Sequence, residues 1–274
     1  MRIDRSNWQD VASPRIESDW SVVIPAAGKG TRLGSSLPKI LYPVGGRPIL
    51  AWLFDLFLPS ISGPIVLVVA PWSKDAVQKA ALELAGEDRV KIAVQEVPTG
   101  MGDAVEIGVT QVTTQNVAVV WGDQVALRKS SIEAVFRVHE GPLQPAVTFP
   151  TVDRDQPYIH FERNADGNIV ALRQAREGDP MPPVGESDTG FFCFQTLILQ
   201  QLLADSRKNG QRGSATGEFN LLPILVDAAI RQYRVLTPRV VREEETVGIN
   251  TPEDAARVEE FLRSERYAGV ETHG

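Results

Sequence analysis

The stretch VVIPAAGKGTRLG, residues 22–34, decides the fold. Its first part continues an apolar, β-branched run that begins at Ser21 and ends at Pro25, and such runs are typical of a buried strand. Its second part is a turn rich in glycine and alanine, which allows the backbone to approach a ligand closely. The stretch therefore predicts a strand that carries a ligand-binding loop at its carboxyl end.

Apolar runs recur after this strand, and helical patterns lie between them. Strands are predicted at 65–70, 90–95, 117–121 and 146–150, and helices at 49–58, 74–85, 102–112 and 130–139. Strands that alternate with helices indicate a mostly parallel sheet covered on both faces. We expect an α/β protein with a three-layer α/β/α Rossmann-like domain and a predominantly parallel mixed sheet.

The alternation breaks after about residue 150. Residues 158–161 and 169–173 flank a turn at 164–168, and this pattern predicts a β-hairpin, which would act as a lid or substrate wall in the second half. The predicted organisation is an N-terminal extension at 1–19, one domain at 20–265 with halves at about 20–125 and 126–265, and a tail at 266–274.

Composition and charge exclude several classes of protein. A chain of 274 residues with 43% hydrophobic and 23% charged residues is typical of a globular protein rather than a disordered one. A net charge of −7 argues against nucleic-acid binding, which needs a basic face. No apolar stretch approaches the ~20 residues that span a bilayer, and the N-terminus lacks the apolar core of a signal peptide. We expect a cytoplasmic protein without nucleic-acid or membrane partners; homodimer formation is left open.

The glycine-rich loop carries cations suited to phosphate. Lys29, Arg32 and Lys39 lie within eleven residues of one another, and a triphosphate carries about four negative charges that such side chains bind through charge-assisted hydrogen bonds. The glycine spacing fits neither a P-loop nor a dinucleotide fingerprint. The sequence therefore predicts a nucleotide site of another kind.

Residues 22–50 resemble the signature of the sugar-1-phosphate nucleotidyltransferase superfamily: an apolar strand, Ala-Ala-Gly-x-Gly-Thr-Arg, Pro-Lys and a second Gly-rich turn. Among its members the chain most resembles the N-acetylglucosamine-1-phosphate uridylyltransferase domains, from Trp20 to about Leu262. The resemblance implies Mg²⁺-dependent transfer from a nucleoside triphosphate to a small phosphorylated acceptor, a sugar 1-phosphate, with release of pyrophosphate. It also implies three catalytic residues, Arg32, Lys39 and Asp123.

Further segments match this family. Gln95 matches a glutamine that faces the base, and its amide can both donate and accept; Met101 stands where relatives place threonine, which leaves the base open. Asp123, at the end of a predicted strand, and Asn250 match the two Mg²⁺ ligands. The resemblance implies nucleotide contacts at Ala26, Ala27, Gly28, Gly30, Thr31, Arg32, Gln95, Gly100, Met101 and Asp123.

The acceptor site is predicted at Gln174, Asp188 and Glu218. Gln174 replaces a glutamate, and Asp188 an asparagine, of the acetylglucosamine pattern. Because both changes alter hydrogen bonding to a sugar, acetylglucosamine is not carried over as the substrate.

Two alternatives stay open. One is a cytidylyl- or guanylyltransferase for a phosphorylated alcohol, cyclitol or phosphonate; the other is a non-catalytic, nucleotide-binding regulatory domain. The acidic run 243–245 is interpreted as a solvated turn, and Cys193, within an apolar run, as a buried structural thiol.

Overall fold

The computed structural model describes the backbone of residues 1–270 and the side chains of residues 1–264. The strands are β1 Arg2–Ile3, β2 Trp20–Pro25, β3 Pro43–Val44, β4 Arg47–Pro48, β5 Ile65–Val69, β6 Val90–Val94, β7 Asn116–Val120, β8 Val147–Thr148, β9 Thr151–Asp155, β10 Ile159–Arg163, β11 Ile169–Gln174, β12 Val184–Asp188, β13 Phe191–Gln195 and β14 Val235–Pro238. The helices are α1 Ile49–Phe57, α2 Lys74–Ala85, α3 Met101–Val109, α4 Lys129–His139, α5 Thr196–Lys208, α6 Leu222–Ile230 and α7 Pro252–Val270.

Eight strands form the central sheet, in the order β1-β14-β8-β13-β7-β2-β5-β6. Neighbours pair in parallel except where β13 meets β7 and β8, and both of those pairs are antiparallel. The predicted α/β class with a predominantly parallel mixed sheet is confirmed. The glycine-rich loop follows the central strand β2, whose parallel neighbours are β5 and β7.

The core lies on both faces of this sheet. Side chains alternate along β2, so that Val22 and Ile24 join one buried cluster and Val23 joins the other. Helices α1, α2 and α4 cover the first face, and α3, α5 and α6 cover the second. This is the predicted three-layer arrangement. Because a hydrophobic core lies on each face of the sheet, both faces of its strands are buried, and the strands appear in the sequence as continuous apolar runs.

The segment predicted as an N-terminal extension, residues 1–19, packs on the domain. Its strand β1 adds in parallel to β14 at the sheet edge. The carboxylate of Glu140 accepts hydrogen bonds from the backbone N–H groups of Glu17 and Ser18 and from the Trp20 indole. The sequence did not predict that this segment joins the sheet, because a strand of two residues is too short to show a periodic pattern. At the other end, α7 extends into the predicted tail, and residues 271–274 lie outside the described residues.

The second half contains the predicted hairpin, formed by β10 and β11, and β12 pairs antiparallel with β9 beside it. The acidic run 243–245 is a solvated turn only in part, because Glu243 and Glu244 are exposed and Glu245 is not. Glu245 is fully buried and accepts hydrogen bonds from the Arg128 N–H and from the Ser131 hydroxyl at the start of α4. A carboxylate at this position stabilises the unpaired N–H groups of a helix N-terminus.

Two further expectations concern burial. Cys193 is fully buried in β13, and burial raises the pKa of its thiol, as expected of a structural cysteine. Among the residues described, no helix has both the length and the apolar character needed to cross a bilayer.

Candidate active site

The glycine-rich loop holds Lys39 by direct packing. Gly30 adopts a left-handed conformation with φ 63°, and a Cβ added there would lie 2.9 Å from the Cβ of Lys39. Contacts this short are not seen between real Cβ atoms, so only glycine lets the two segments approach. A second glycine of the loop, Gly34, has a similar φ of 62° but no atom within 4 Å of an added Cβ.

Four predicted residues meet through hydrogen bonds at the end of this loop. The Lys39 ammonium donates to Asp123 Oδ2 at 2.6 Å and to Asn250 Oδ1 at 2.9 Å. Arg32 Nη2 donates to the same Asn250 oxygen at 3.0 Å. Asp123 and Asn250 are 127 positions apart by residue number, yet their side-chain oxygens converge on one ammonium group. The structure thus brings together the three predicted catalytic residues and both predicted metal ligands.

This pair of oxygens has the chemistry that Mg²⁺ prefers. A carboxylate and an amide oxygen are hard ligands, and Mg²⁺ in nucleotide sites takes few protein ligands and completes its shell with phosphate and water. The two oxygens already hold one cationic group, the Lys39 ammonium. Among the described residues no group of three or more His, Cys, Asp or Glu side chains is placed to hold a metal ion.

Two adjoining cavities open at this cluster. The smaller, about 300 Å³, is lined by the loop residues Ala26, Ala27 and Gly28 and by Gln95 and Gly100. The larger, about 680 Å³, is lined mostly by the second half of the chain. Residues lining both cavities are Lys39, Met101, Trp121, Asp123 and Arg176. The proposed reaction centre therefore lies on the boundary between two spaces of substrate size.

The predicted nucleotide residues divide into two groups. Most of them line the smaller cavity, whereas Gly30 and Thr31 line neither cavity and Arg32 lines the larger one. Gln95 is buried, and its amide nitrogen donates to the Gly100 carbonyl and to the Asp103 carboxylate at 3.0 and 2.9 Å. Both donor hydrogens are engaged, so in this conformation Gln95 has only its oxygen to offer to a base.

The base segment is joined to the second half of the chain. Gly102 N–H donates to the Phe219 carbonyl, and Phe219 N–H donates to the Thr99 carbonyl, each at 2.8 Å. Gly100 has φ 126°, and a Cβ added there would lie 2.4 Å from the Phe219 carbonyl oxygen. Glycine is required here because the two backbones touch.

The predicted acceptor residues lie on two different walls. Gln174 and Asp188 line the larger cavity, as an acceptor role requires. Glu218 lines the smaller cavity and forms an ion pair with Arg176 at 2.6 Å. Burial raises the pKa of Asp188, although the Gly190 N–H that donates to its carboxylate and the nearby Arg154 oppose this shift.

Glu177 organises the segment that carries Glu218. Its carboxylate accepts hydrogen bonds from Thr216 N–H and Oγ1, from Ala215 N–H and from the Asn220 amide. Burial alone would raise the pKa of Glu177, but these hydrogen bonds outweigh it and lower the pKa to about 2. The side chain is 8% exposed, so it supports the loop rather than contacting a ligand.

Sequence reasoning missed several cavity residues: Trp121, Gln124, Arg154, Tyr158 and Arg176. Trp121 and Gln124 flank Gly122-Asp123, so their closeness to a predicted ligand was a usable signal. Tyr158 begins the hairpin that was predicted as a lid or substrate wall, although it was not singled out as a site residue. No sequence signal pointed to Arg154, because its place on the cavity wall depends on how β9 packs.

Comparisons with known proteins show which family this chain resembles. A sequence profile of the MobA-like NTP transferase domain matches residues 22–182. The bifunctional protein GlmU of Desulfitobacterium hafniense (strain Y51) is 28% identical over 248 residues, which cover 89% of this chain and 52% of that protein. GlmU of Exiguobacterium sp. (strain AT1b) is 30% identical over 247 residues, with 88% and 52% covered. The chain spans about half the length of these curated relatives.

A solved structure shares the fold. The inositol-1-phosphate CTP transferase from T. maritima superposes with a TM-score of 0.68 at 16% sequence identity, covering 90% of this chain and 96% of that one. An identity this low supports the architecture, including the mostly parallel sheet with added hairpins, and nothing finer.

Proposed function

The chain belongs to the family of MobA-like NTP transferase domains, and from this premise we propose that it transfers a nucleotidyl group from a nucleoside triphosphate to a sugar 1-phosphate. The products are a nucleoside diphosphate sugar and pyrophosphate. One observation carries the proposal: Lys39 and Asp123 stand on the wall shared by two cavities of substrate size. A transferase that joins two phosphorylated molecules needs such a boundary, whereas a nucleotide sensor needs one pocket only.

The smaller cavity suits the nucleotide. Its loop residues present backbone to the ligand, and an added Cβ at Gly28 would meet nothing within 4 Å, so there is open space above the loop. The larger cavity, with polar residues from the second half, suits the acceptor. Substrates in these two spaces would bring their phosphates together beside Lys39.

The reaction follows from this placement. An oxygen of the acceptor phosphate attacks the α-phosphorus; the bond from the α-phosphorus to the bridging oxygen breaks, and pyrophosphate leaves with the electron pair. A phosphate monoester is already anionic at neutral pH, so no general base or covalent intermediate is required. Alignment and charge neutralisation supply the catalysis. Lys39 and Arg32 provide that charge, because on nucleotide binding their N–H groups exchange Asp123 and Asn250 for phosphate oxygens.

We propose Mg²⁺ as the cofactor, held by Asp123 and Asn250. When bound, it supplies Lewis-acid stabilisation of phosphate charge. The side chains of the protein itself bind the substrates, align them and exclude water from the two cavities.

The test is pyrophosphate release. The protein is incubated with Mg²⁺ and each of the four NTPs, separately, against a panel of sugar 1-phosphates and phosphorylated cyclitols, and pyrophosphate is measured by a coupled assay. We expect release that needs both an NTP and an acceptor. Release with no pair would contradict transferase activity, and NTP binding without release would favour the regulatory alternative. Release with cyclitols only would replace the sugar by the phosphorylated alcohol of the second alternative.

A further inference from the structure

Arg154, on β9, lines the larger cavity without a carboxylate in direct contact with its guanidinium. Its Nη2 donates to the Thr246 carbonyl at 2.8 Å, whereas its Nε is buried without a hydrogen-bond partner. Among the described side chains it forms no ion pair within 4 Å. A guanidinium that gives up water without gaining an anion is costly, so its position on a cavity wall calls for a ligand.

The neighbouring Arg163, on β10, shows how this chain satisfies a buried arginine. Its Nε and Nη2 bind both oxygens of Glu186, each at 2.7 Å, in the bidentate geometry that suits a carboxylate. The Gly167 carbonyl and the Thr237 hydroxyl accept its other hydrogen bonds. Arg163 lines neither cavity of the site, and it needs no ligand because the protein provides one.

The charged groups around Arg154 do not replace that partner. Asp188 on β12 and Glu243 act on it favourably through space, and Arg257 on α7 acts against it, but neither carboxylate comes within ion-pair distance. Asp188 already accepts the Gly190 N–H through Oδ1 at 2.8 Å. Its carboxylate is therefore better placed to accept a hydroxyl of the ligand than to pair with Arg154.

Other polar atoms at this cavity also lack partners. Gln124 Oε1 and Thr189 Oγ1 are buried without a hydrogen bond, and the two residues, 7% and 1% exposed, both line the larger cavity. Buried polar atoms of folded proteins are normally paired. The two atoms are exceptions to this rule beside one cavity, and they leave hydrogen-bonding capacity for the hydroxyl groups of a ligand.

We propose that the acceptor is a phosphorylated sugar acid, whose carboxylate binds Arg154 while its hydroxyl groups bind Asp188, Gln124 and Thr189. This inference rests on the proposed function and narrows its acceptor class. The attacking phosphate of the acceptor has its own cations, Arg32 and Lys39, at the cavity boundary. Arg154 lines only the larger cavity, so it would recognise a second anionic group.

The experiment uses matched pairs of acceptors that differ only at carbon 6. Glucose, galactose and mannose 1-phosphates are compared with the 1-phosphates of glucuronic, galacturonic and mannuronic acids, with Mg²⁺ and a mixture of the four NTPs. For at least one pair we expect the acid to have the higher kcat/KM. Arg154→Gln should then raise the KM for the acid about 10- to 100-fold, the usual contribution of a charge-assisted hydrogen bond, and should raise the KM for the neutral sugar by a clearly smaller factor.

Two controls keep the outcome clear. Arg239→Gln removes a half-buried arginine that pairs with Asp153 and lines neither cavity, so it should change neither KM. Circular dichroism and the thermal unfolding temperature of Arg154→Gln, compared with wild type, verify folding independently of turnover. Turnover of neutral sugars in preference to all three acids would overturn the inference and leave the proposed function intact. An equal loss for both acceptors in Arg154→Gln would also overturn it. No release from any of the six would overturn the inference as well, and the proposed function would be contradicted only if the wider panel of acceptors also gave no release.

Discussion

The nucleotide wall and the acceptor wall of the site are built in different ways. The nucleotide wall comes from one continuous loop after β2, and backbone contacts such as the one between Gly30 and Lys39 fix its shape. The acceptor wall is assembled from side chains on β9, β11, β12 and the segment near Thr246, which meet only in the folded chain. The first wall recognises phosphate, a feature common to all NTPs, whereas the second has to recognise one particular acceptor.

Because the two walls are built differently, they should differ in how well they tolerate substitutions. A loop that positions backbone N–H groups tolerates few substitutions, because glycine conformation and close packing decide its shape. A wall of side chains can change its specificity by single substitutions without altering the fold. The predictions below test that contrast, beginning with the boundary that both walls share.

The largest effect is expected at Asp123, where the walls meet. Asp123→Ala removes a proposed metal ligand and the hydrogen-bond partner of Lys39, so kcat should fall at least roughly 100-fold. Circular dichroism should show a native fold, and excess Mg²⁺ should recover little activity. Asp227→Ala is the matched control for loss of a carboxylate, because Asp227 lies in α6 and lines neither cavity. Near wild-type turnover by Asp123→Ala would refute the metal assignment.

The nucleotide wall is tested by a pair of glycines. Gly30→Ala and Gly34→Ala impose the same left-handed strain, about 1–2 kcal/mol each, since their φ angles are 63° and 62°. Only Gly30→Ala also forces a Cβ against Lys39, and a displaced catalytic group can cost up to about 100-fold in rate. We expect similar losses of thermal stability but a fall of kcat, at least tenfold, for Gly30→Ala alone. Equal kcat values would show that this contact does not position Lys39.

A smaller effect, on stability, is expected from Glu177 behind the two walls. Its folded pKa of about 2 lies below 4.5, the ordinary pKa of a glutamate side chain, so the carboxylate stabilises the fold above pH 4.5, and this contribution is lost as the pH falls toward 2. Glu177→Gln should lower the free energy of unfolding at pH 7 by about 1–3 kcal/mol. Urea titrations between pH 7 and pH 3 should show a weaker acid dependence for this variant, whereas the exposed Glu83→Gln should match wild type. Parallel pH profiles for Glu177→Gln and wild type would contradict the assignment.

The sequence predicts the two walls unequally for the same physical reason. Lys39, Arg32 and Asp123 lie in local patterns, because a strand followed by a tight turn must place its next residues at one sheet edge. Arg154 and Arg176 carry no such pattern, and only the pairing of β9 with β12 and the position of the 3₁₀ turn after β11 bring them to the cavity. The sequence pattern around Gln95 predicted this residue as part of the nucleotide site. It could not predict that the Gln95 amide donates hydrogen bonds to Gly100 and Asp103. The edge strand β1 is too short for periodicity to indicate it.

The central claim, that the acceptor phosphate attacks across the shared boundary, is tested most directly by an oxygen label. An accepted sugar 1-phosphate is prepared with ¹⁸O in the three non-bridging oxygens of its phosphate, and the products are analysed by mass spectrometry. The account predicts that the nucleoside diphosphate sugar retains all the label and that pyrophosphate contains none. Label in pyrophosphate or in free phosphate, or a nucleoside monophosphate formed without the sugar, would contradict it.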